Sequence, residues 1–338
     1  MTEPIRIGII GCGKIATVDH VPGYQSIKGV RIVSLLDVKE RQVEALRKAR
    51  DLNAKGYMDP EAFLASGLDA VSICTPNNLH CRQTIAALKA GLHVLCEKPM
   101  AASAADATRM IETARKAGRI LQINQTFHYL PEYIKIVGLV ARGAIGRPIH
   151  VRCIRSGGTT PDKGWSPGAR WFVSKASDGG VILDIGVHMA EMMQWVGGDV
   201  AEIAACVDTR TPDIDVPDNA SALMRFKNGA TGVLELSWTT PVGAGHLEIY
   251  GTRGTLRVGF SAEHPIELIQ PGPKGKPDRV SHPSPAGRVK HSQQRFIDAI
   301  LGRSPSPTPG ELGRRAVALC EAIARAGETG KFVAVKQF

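Results

Sequence analysis

The chain has 338 residues, enough for about two domains at ~150 residues each, and a chain of that size buries a core without disulfide staples. Hydrophobic residues make up 43% and charged residues 22%, which excludes a disordered or membrane-like chain and leaves a soluble globular protein. A net charge of +10 raises nucleic acid as a partner, but basic residues cluster only in pairs such as Arg47-Lys48 and Arg314-Arg315, and aromatic residues are only 5%. No phosphate-tracking stripe or stacking platform is visible, so the expected partner is a small molecule, with neither nucleic acid nor membrane.

The first 125 residues alternate compact aliphatic runs with helical patterns. Ile5–Ile10, Val30–Leu36, Ala70–Cys74, Leu92–Leu95 and Ile120–Ile123 read as strands covered on both faces. Lys39–Leu52, Leu79–Ala90 and Ser103–Ala117 carry apolar residues at helical spacing, with Gly91 and Gly118 at C-cap positions. Repeated strand-helix-strand units predict an α/β fold, a Rossmann-type doubly wound parallel sheet. After about residue 145 strand-like runs follow one another directly. Ala220–Phe226 and Ala230–Trp238 flank Asn228-Gly229, and His246–Tyr250 and Thr255–Phe260 form a second hairpin pattern. Residues 271–287, rich in Pro and Gly, read as an exposed loop, and Lys290–Leu301 and Glu311–Ala326 as late helices. The expected division is residues 1–125 for dinucleotide binding and 126–338 for an α+β substrate and oligomerisation domain built on a large open, mostly antiparallel sheet, with the C-terminal segment free to pack back on the first.

Seven cysteines form an odd set without a C-x-x-C pair, and several sit in apolar runs, so they read as buried thiols in a reducing compartment. The N-terminal MTEPIRIGII lacks signal-peptide architecture, and the expected location is the cytoplasm.

Gly8-Ile-Ile-Gly11-Cys-Gly13-Lys14-Ile15-Ala16 follows the first strand run and opens a helical segment. Gly11 permits a tight turn, Gly13 lets the backbone approach a pyrophosphate, and Ala16 allows close helix packing. Asp37, closing the second strand, is placed to accept hydrogen bonds from ribose hydroxyls. That favours NAD as cofactor, while Lys39 and Arg41 leave NADP open. Thr75-Pro76-Asn77-Asn78 follows the third strand run, at the sheet edge where ligands bind; it serves equally as a turn that caps the next helix. In Cys96-Glu97-Lys98-Pro99 the proline keeps Lys98 extended, so its ammonium can steady a developing alkoxide; a surface Glu-Lys pair is the plainer alternative. Asp184, His188 and Glu191 interrupt an otherwise apolar stretch, Asp184 and His188 sharing one helix face. They read as an acid-base device, as a cap and a structural histidine, or as a metal site, which lacks a second histidine at ligand spacing; no metal is expected.

Together the glycine loop, Thr75-Pro76-Asn77 with His80, Glu97-Lys98-Pro99 and Asp184-x-Gly186-x-His188 resemble the glucose-fructose oxidoreductase, inositol dehydrogenase and rhizopine catabolism (Gfo/Idh/MocA) family over nearly the whole chain. The resemblance implies NAD(P)-dependent oxidation of a secondary hydroxyl of a sugar, sugar derivative or inositol by a homodimer or homotetramer. It implies Lys98, Asp184 and His188 as catalytic residues, with His188 the base. It implies cofactor contacts from Gly11, Gly13, Lys14, Ile15, Asp37, Thr75, Pro76, Asn77, His80, Glu97, Lys98 and Gln125. Substrate contacts fall to Lys98, Asn124, Asp184 and His188, with Arg155 and Trp165, beside Lys163 and Arg170, in a Gly-rich segment that can equally be a solvated loop. Two positions depart from the family pattern: Asn124-Gln125-Thr126-Phe127 replaces N-x-R-F, and Glu191 replaces Asp. Alternatives are an enzyme that uses NAD transiently in glycoside cleavage or internal redox, and a non-catalytic dinucleotide sensor.

Overall fold

The computed structural model describes residues 3–338. In chain order the first strands and helices are β1 (Ile5–Ile10), α1 (Val21–Gln25), β2 (Val30–Leu36), α2 (Glu40–Ala49), β3 (Lys55–Tyr57), α3 (Pro60–Leu64), β4 (Ala70–Ile73), α4 (His80–Lys89), β5 (His93–Glu97), α5 (Ala104–Ala117) and β6 (Leu121–Asn124). The strands form one six-stranded sheet in the order β3-β2-β1-β4-β5-β6, every pairing parallel. The aliphatic runs become these strands because helices cover both faces: all four side chains of β4 and all four of β6 are buried. Local chemistry sets the helix ends. The Ser103 side chain accepts the Asp106 N–H at the start of α5, and Gly118 closes it in the left-handed conformation.

Chain contacts divide the molecule into two compact units. One runs through Gln125 and regains Lys290–Arg314; the other comprises Thr126–Val289 and Arg315–Phe338. Inside the first unit the returning segment is tied to the end strand of the sheet, since the Ile123 N–H donates to the Thr308 carbonyl and the Thr308 hydroxyl to the Ile123 carbonyl.

The second unit contains α6 (Pro131–Ala141), β7 (Pro148–Ser156), α7 (Val187–Gly197) and β8 (Val200–Asp208), followed by β9 (Asn219–Phe226), β10 (Thr231–Ser237), β11 (Ala244–Gly251), β12 (Gly254–Val258), β13 (Ile266–Gln270) and β14 (Arg279–Ser281). With β15 (Val333–Ala334), the strands make a nine-stranded sheet, β14-β13-β12-β11-β7-β10-β9-β8-β15. All its pairings are antiparallel except that of β7 with β10. In β9 buried and exposed side chains alternate strictly, the pattern of a sheet with one face on a core and one facing solvent. Met192, Met193, Leu234 and Ile249 belong to that core. Both expected hairpins form. The expected loop 271–287 differs: Arg279–Ser281 pairs with β13 despite full exposure, because edge pairing needs only backbone groups and leaves no apolar pattern to read.

All seven cysteines are free; five are buried and Cys206 is exposed. No helix among the described residues is long and apolar enough to cross a membrane.

Candidate active site

In the first unit the glycine loop leaves β1 with Gly11 at φ +90°, a conformation that favours glycine. A Cβ there would also lie 2.8 Å from the Cys74 backbone. Gly13 is the opposite case: a Cβ would meet nothing within 4 Å, so the backbone there faces open space into which a phosphate can come close. Asp37 anchors the loop, its carboxylate accepting the Cys12 N–H at 2.9 Å and the Lys39 N–H at 3.0 Å. Each oxygen keeps a lone pair for a ribose hydroxyl. Lys14 is exposed and Ile15 half-buried beside them. At the far end of β6, Gln125 is buried and its Nε2 has no hydrogen-bond partner in the protein. An open glycine backbone, an anchored acceptor and a buried amide in search of an acceptor fit a dinucleotide carrying a carboxamide.

Lys98 follows β5 and is half-buried. Its own N–H donates to Glu97 Oε2 at 3.2 Å. Glu97 Oε1 in turn meets His20 Nε2 at 2.7 Å and accepts from Asn124 Nδ2. His20 Nδ1 lies 3.0 Å from Ser72 Oγ, which Tyr24 also reaches, and Asn124 Nδ2 donates to Asp19 Oδ2 at 2.9 Å. Burial alone would deprotonate His20, but Cys74 and Glu97 reverse that and hold its pKa well above the ordinary histidine value. Burial also raises the Cys74 thiol, which leaves Glu97 as the operative anion. Burial would raise Glu97 as well, yet the His20 and Asn124 hydrogen bonds win and hold it below the ordinary carboxylate value. Both directions favour a proton on His20 and a charge on Glu97. Asp19, His20 and Glu97 place ligand atoms within 4.8 Å of one another, and the Asn124 amide donates to both carboxylates there.

His80, also fully buried, meets the residue that follows Lys98. Its Nδ1 is 2.7 Å from the Pro99 carbonyl and its Nε2 is 2.8 Å from the Thr75 carbonyl. Two acceptors favour a doubly protonated ring and burial opposes it; burial is the larger effect, so the pKa lies below the ordinary histidine value. Asn77 is buried and Thr75 and Pro76 are half-buried in the same loop, with the Thr75 hydroxyl turned to Gln83. His80, expected at the cofactor, and Asn124, expected at the substrate, are both completely buried, with their side-chain nitrogens engaged inside the unit.

In the second unit Asp184 lies in a π-helical turn, Ile182–Gly186, that runs straight into α7, and His188 is the second residue of α7. Such turns widen a helix and recur at functional sites. Asp184 and His188 are half-buried while Ile182, Val187, Met189 and Ala190 around them are buried. The His188 ring stacks on Phe127 at 5.2 Å, and Phe127 stacks on Tyr133 at 4.7 Å. Glu191 is turned elsewhere: it pairs with His128 at 2.8 Å, and His128 stacks on Trp195. Arg155, Lys163, Trp165 and Arg170 are exposed, and Arg170 pairs with buried Asp162 at 2.9 Å. Sequence reasoning missed Asp19, His20, Phe127 and His128. A histidine and an aspartate within an apolar helical segment just after the glycine loop were the available signal for the first two.

The oxidoreductase family model with an NAD-binding Rossmann fold matches residues 5–125, and the GFO/IDH/MocA C-terminal domain model matches residues 133–257. The chain belongs to the GFO/IDH/MocA family. Among similar proteins, myo-inositol 2-dehydrogenase of Thermotoga maritima is 31% identical over 259 residues, 75% of this chain and 74% of that one. The 1,5-anhydro-D-fructose reductase of Ensifer adhaerens is 29% identical over 96% of this chain and 97% of its own. The solved WlbA dehydrogenase of Bordetella pertussis, in complex with NADH and UDP-GlcNAcA, has a TM-score of 0.86 at 27% identity, covering 99% of this chain and 100% of that one. This GFO/IDH/MocA chain is an NAD-dependent oxidoreductase.

Proposed function

We propose that the protein oxidises a secondary hydroxyl of a sugar, sugar derivative or cyclitol, with Lys98, Asp184 and His188 as its catalytic residues. The observation that carries the assignment in the second unit is that Asp184, in the π-helical turn, and His188, in the first turn of α7, are half-buried among the buried apolar residues Ile182, Val187, Met189 and Ala190. When bound, NAD supplies the hydride acceptor; the glycine backbone at Gly11 and Gly13, with Lys14 and Ile15 beside it, Asp37 and Gln125 would hold it. His188 takes the hydroxyl proton, a role suited to an imidazole near neutral pH. Lys98 donates a hydrogen bond to the substrate oxygen as negative charge develops there. Asp184 orients the substrate and the imidazole, and the Phe127 ring fixes the plane in which His188 works.

Arg155 and Trp165, both exposed, are the proposed further substrate contacts. The protein is proposed to act as a homodimer or homotetramer in the cytoplasm. Exposed Ile149, Leu223 and Val280 on strands of the nine-stranded sheet support the first, and the free thiols suit a reducing compartment. The test is a spectrophotometric screen of myo-inositol, scyllo-inositol, methyl D-glucosides, D-apiose and uronates with NAD and with NADP. NADH formation with at least one compound is expected; absence of it throughout the panel overturns the reading.

A further inference from the structure

Two fully buried histidines flank Lys98, and neither has an edge with which to touch substrate or cofactor. His20 holds the residue before it, through the 2.7 Å contact with Glu97, whose second oxygen receives the Lys98 N–H. His80 meets the residue after it: its Nδ1 is 2.7 Å from the Pro99 carbonyl and its Nε2 is 2.8 Å from the Thr75 carbonyl, and the ring's N–H donates to one of them. We propose that His20 and His80 are positioning residues for Lys98, a two-sided clamp that fixes the backbone from which the ammonium projects. This rests on the reading of Lys98 as the group that meets the substrate oxygen.

A purely structural filler at these places would be apolar, because a buried ion pair gives little or no net stability over well-packed hydrophobic residues of the same volume. Clamping a catalytic side chain is a different demand, since a group of this kind must be held within about 0.5 Å of its working position. The network meets it with directional bonds. Glu97 is held by two partners on one oxygen, His20 and Asn124, which leaves the other oxygen to face the Lys98 N–H. Asn124 is fixed in turn by Asp19, which Gln293 from the returning segment also reaches at 3.1 Å. Ser72 and Tyr24 fix the far side of the His20 ring.

The experiment is a double-mutant cycle on the full chain, read as kcat with the panel compound that is oxidised fastest and as NADH affinity by fluorescence titration. His20→Gln is expected to lower kcat by about 10- to 100-fold, the cost of a misplacement near 1 Å, with NADH affinity within about twofold of the parent. In the Lys98→Ala background the same change is expected to lower kcat by less than about twofold, because there is no ammonium left to misplace. His80→Gln and Glu97→Gln enter the same cycle, so a His20 variant that fails to fold leaves the test intact. Equal fold-losses in the two backgrounds overturn the clamp, as does a loss accounted for by weakened NADH binding. If Lys98→Ala alone turns over like the parent, it is the assigned role of Lys98 that fails.

Discussion

Replacing His20 by leucine leaves the Glu97 carboxylate buried with only Asn124 and the Lys98 N–H as partners. Removing one member of a buried pair costs about 3–5 kcal/mol, most of it the desolvation of the charge left behind. For a folding unit of about 150 residues, at about 2–4 °C per kcal/mol, the melting temperature falls by about 6–20 °C. Combining His20→Leu with Glu97→Gln strands no charge and is expected to recover more than half of the loss. The pH dependence follows from the two directions. Glu97 is held below its ordinary value, so its share of the stability is present above pH 4.5 and is lost as acid reaches its folded pKa. His20 is held above its ordinary value, so its share is complete below pH 6.5 and fades as the pH climbs through its folded pKa. The difference in melting temperature between parent and double variant is thus expected to be greatest between about pH 4.5 and 6.5. Circular dichroism melts from pH 3 to 10 measure it. A His20→Leu variant that melts within about 2 °C of the parent, or a difference flat across the whole range, refutes an ionised pair.

Gly11→Ala imposes both a left-handed backbone on a side chain and a 2.8 Å approach to Cys74; the strain, about 1–3 kcal/mol, is expected to weaken NADH binding at least about tenfold by fluorescence titration. Asp37→Ala deprives the Cys12 and Lys39 N–H groups of their acceptor; NAD affinity is expected to fall about tenfold, a loss near 1.4 kcal/mol, and NADP affinity less, so unchanged relative affinities count against Asp37 as the ribose contact. Lys98→Ala and His188→Ala are each expected to lower turnover by about 10²–10⁴ with NADH binding within about twofold; turnover equal to the parent in both would end their assignment. Phe127→Leu removes the stacking partner of His188 and is expected to lower kcat by about tenfold, near 1.4 kcal/mol of transition-state stabilisation, with little change in melting temperature; an unchanged kcat shows that the ring is packing only.

Much of the fold and part of the site are local properties, and those were legible in the amino-acid order. Alternating aliphatic runs and helical patterns specify a parallel sheet, because a strand buried on both faces is mostly apolar. The Asn228-Gly229 turn between the runs Ala220–Phe226 and Ala230–Trp238 specifies a hairpin, the unit of an antiparallel sheet. Gly11, Asp37, Lys98, Asp184 and His188 stood out because each breaks the pattern of its own segment. What only the tertiary structure decided is which distant residues complete them. His20 and Glu97 are 77 positions apart and Asp19 and Asn124 are 105 apart, and they meet because the sheet order β1-β4-β5-β6 sets the ends of these strands side by side. No periodicity within a strand encodes its neighbour. The π-helical turn beneath Asp184, the Phe127 ring on His188 and the return of Lys290–Arg314 to β6 depend likewise on packing between segments, which a local pattern does not carry.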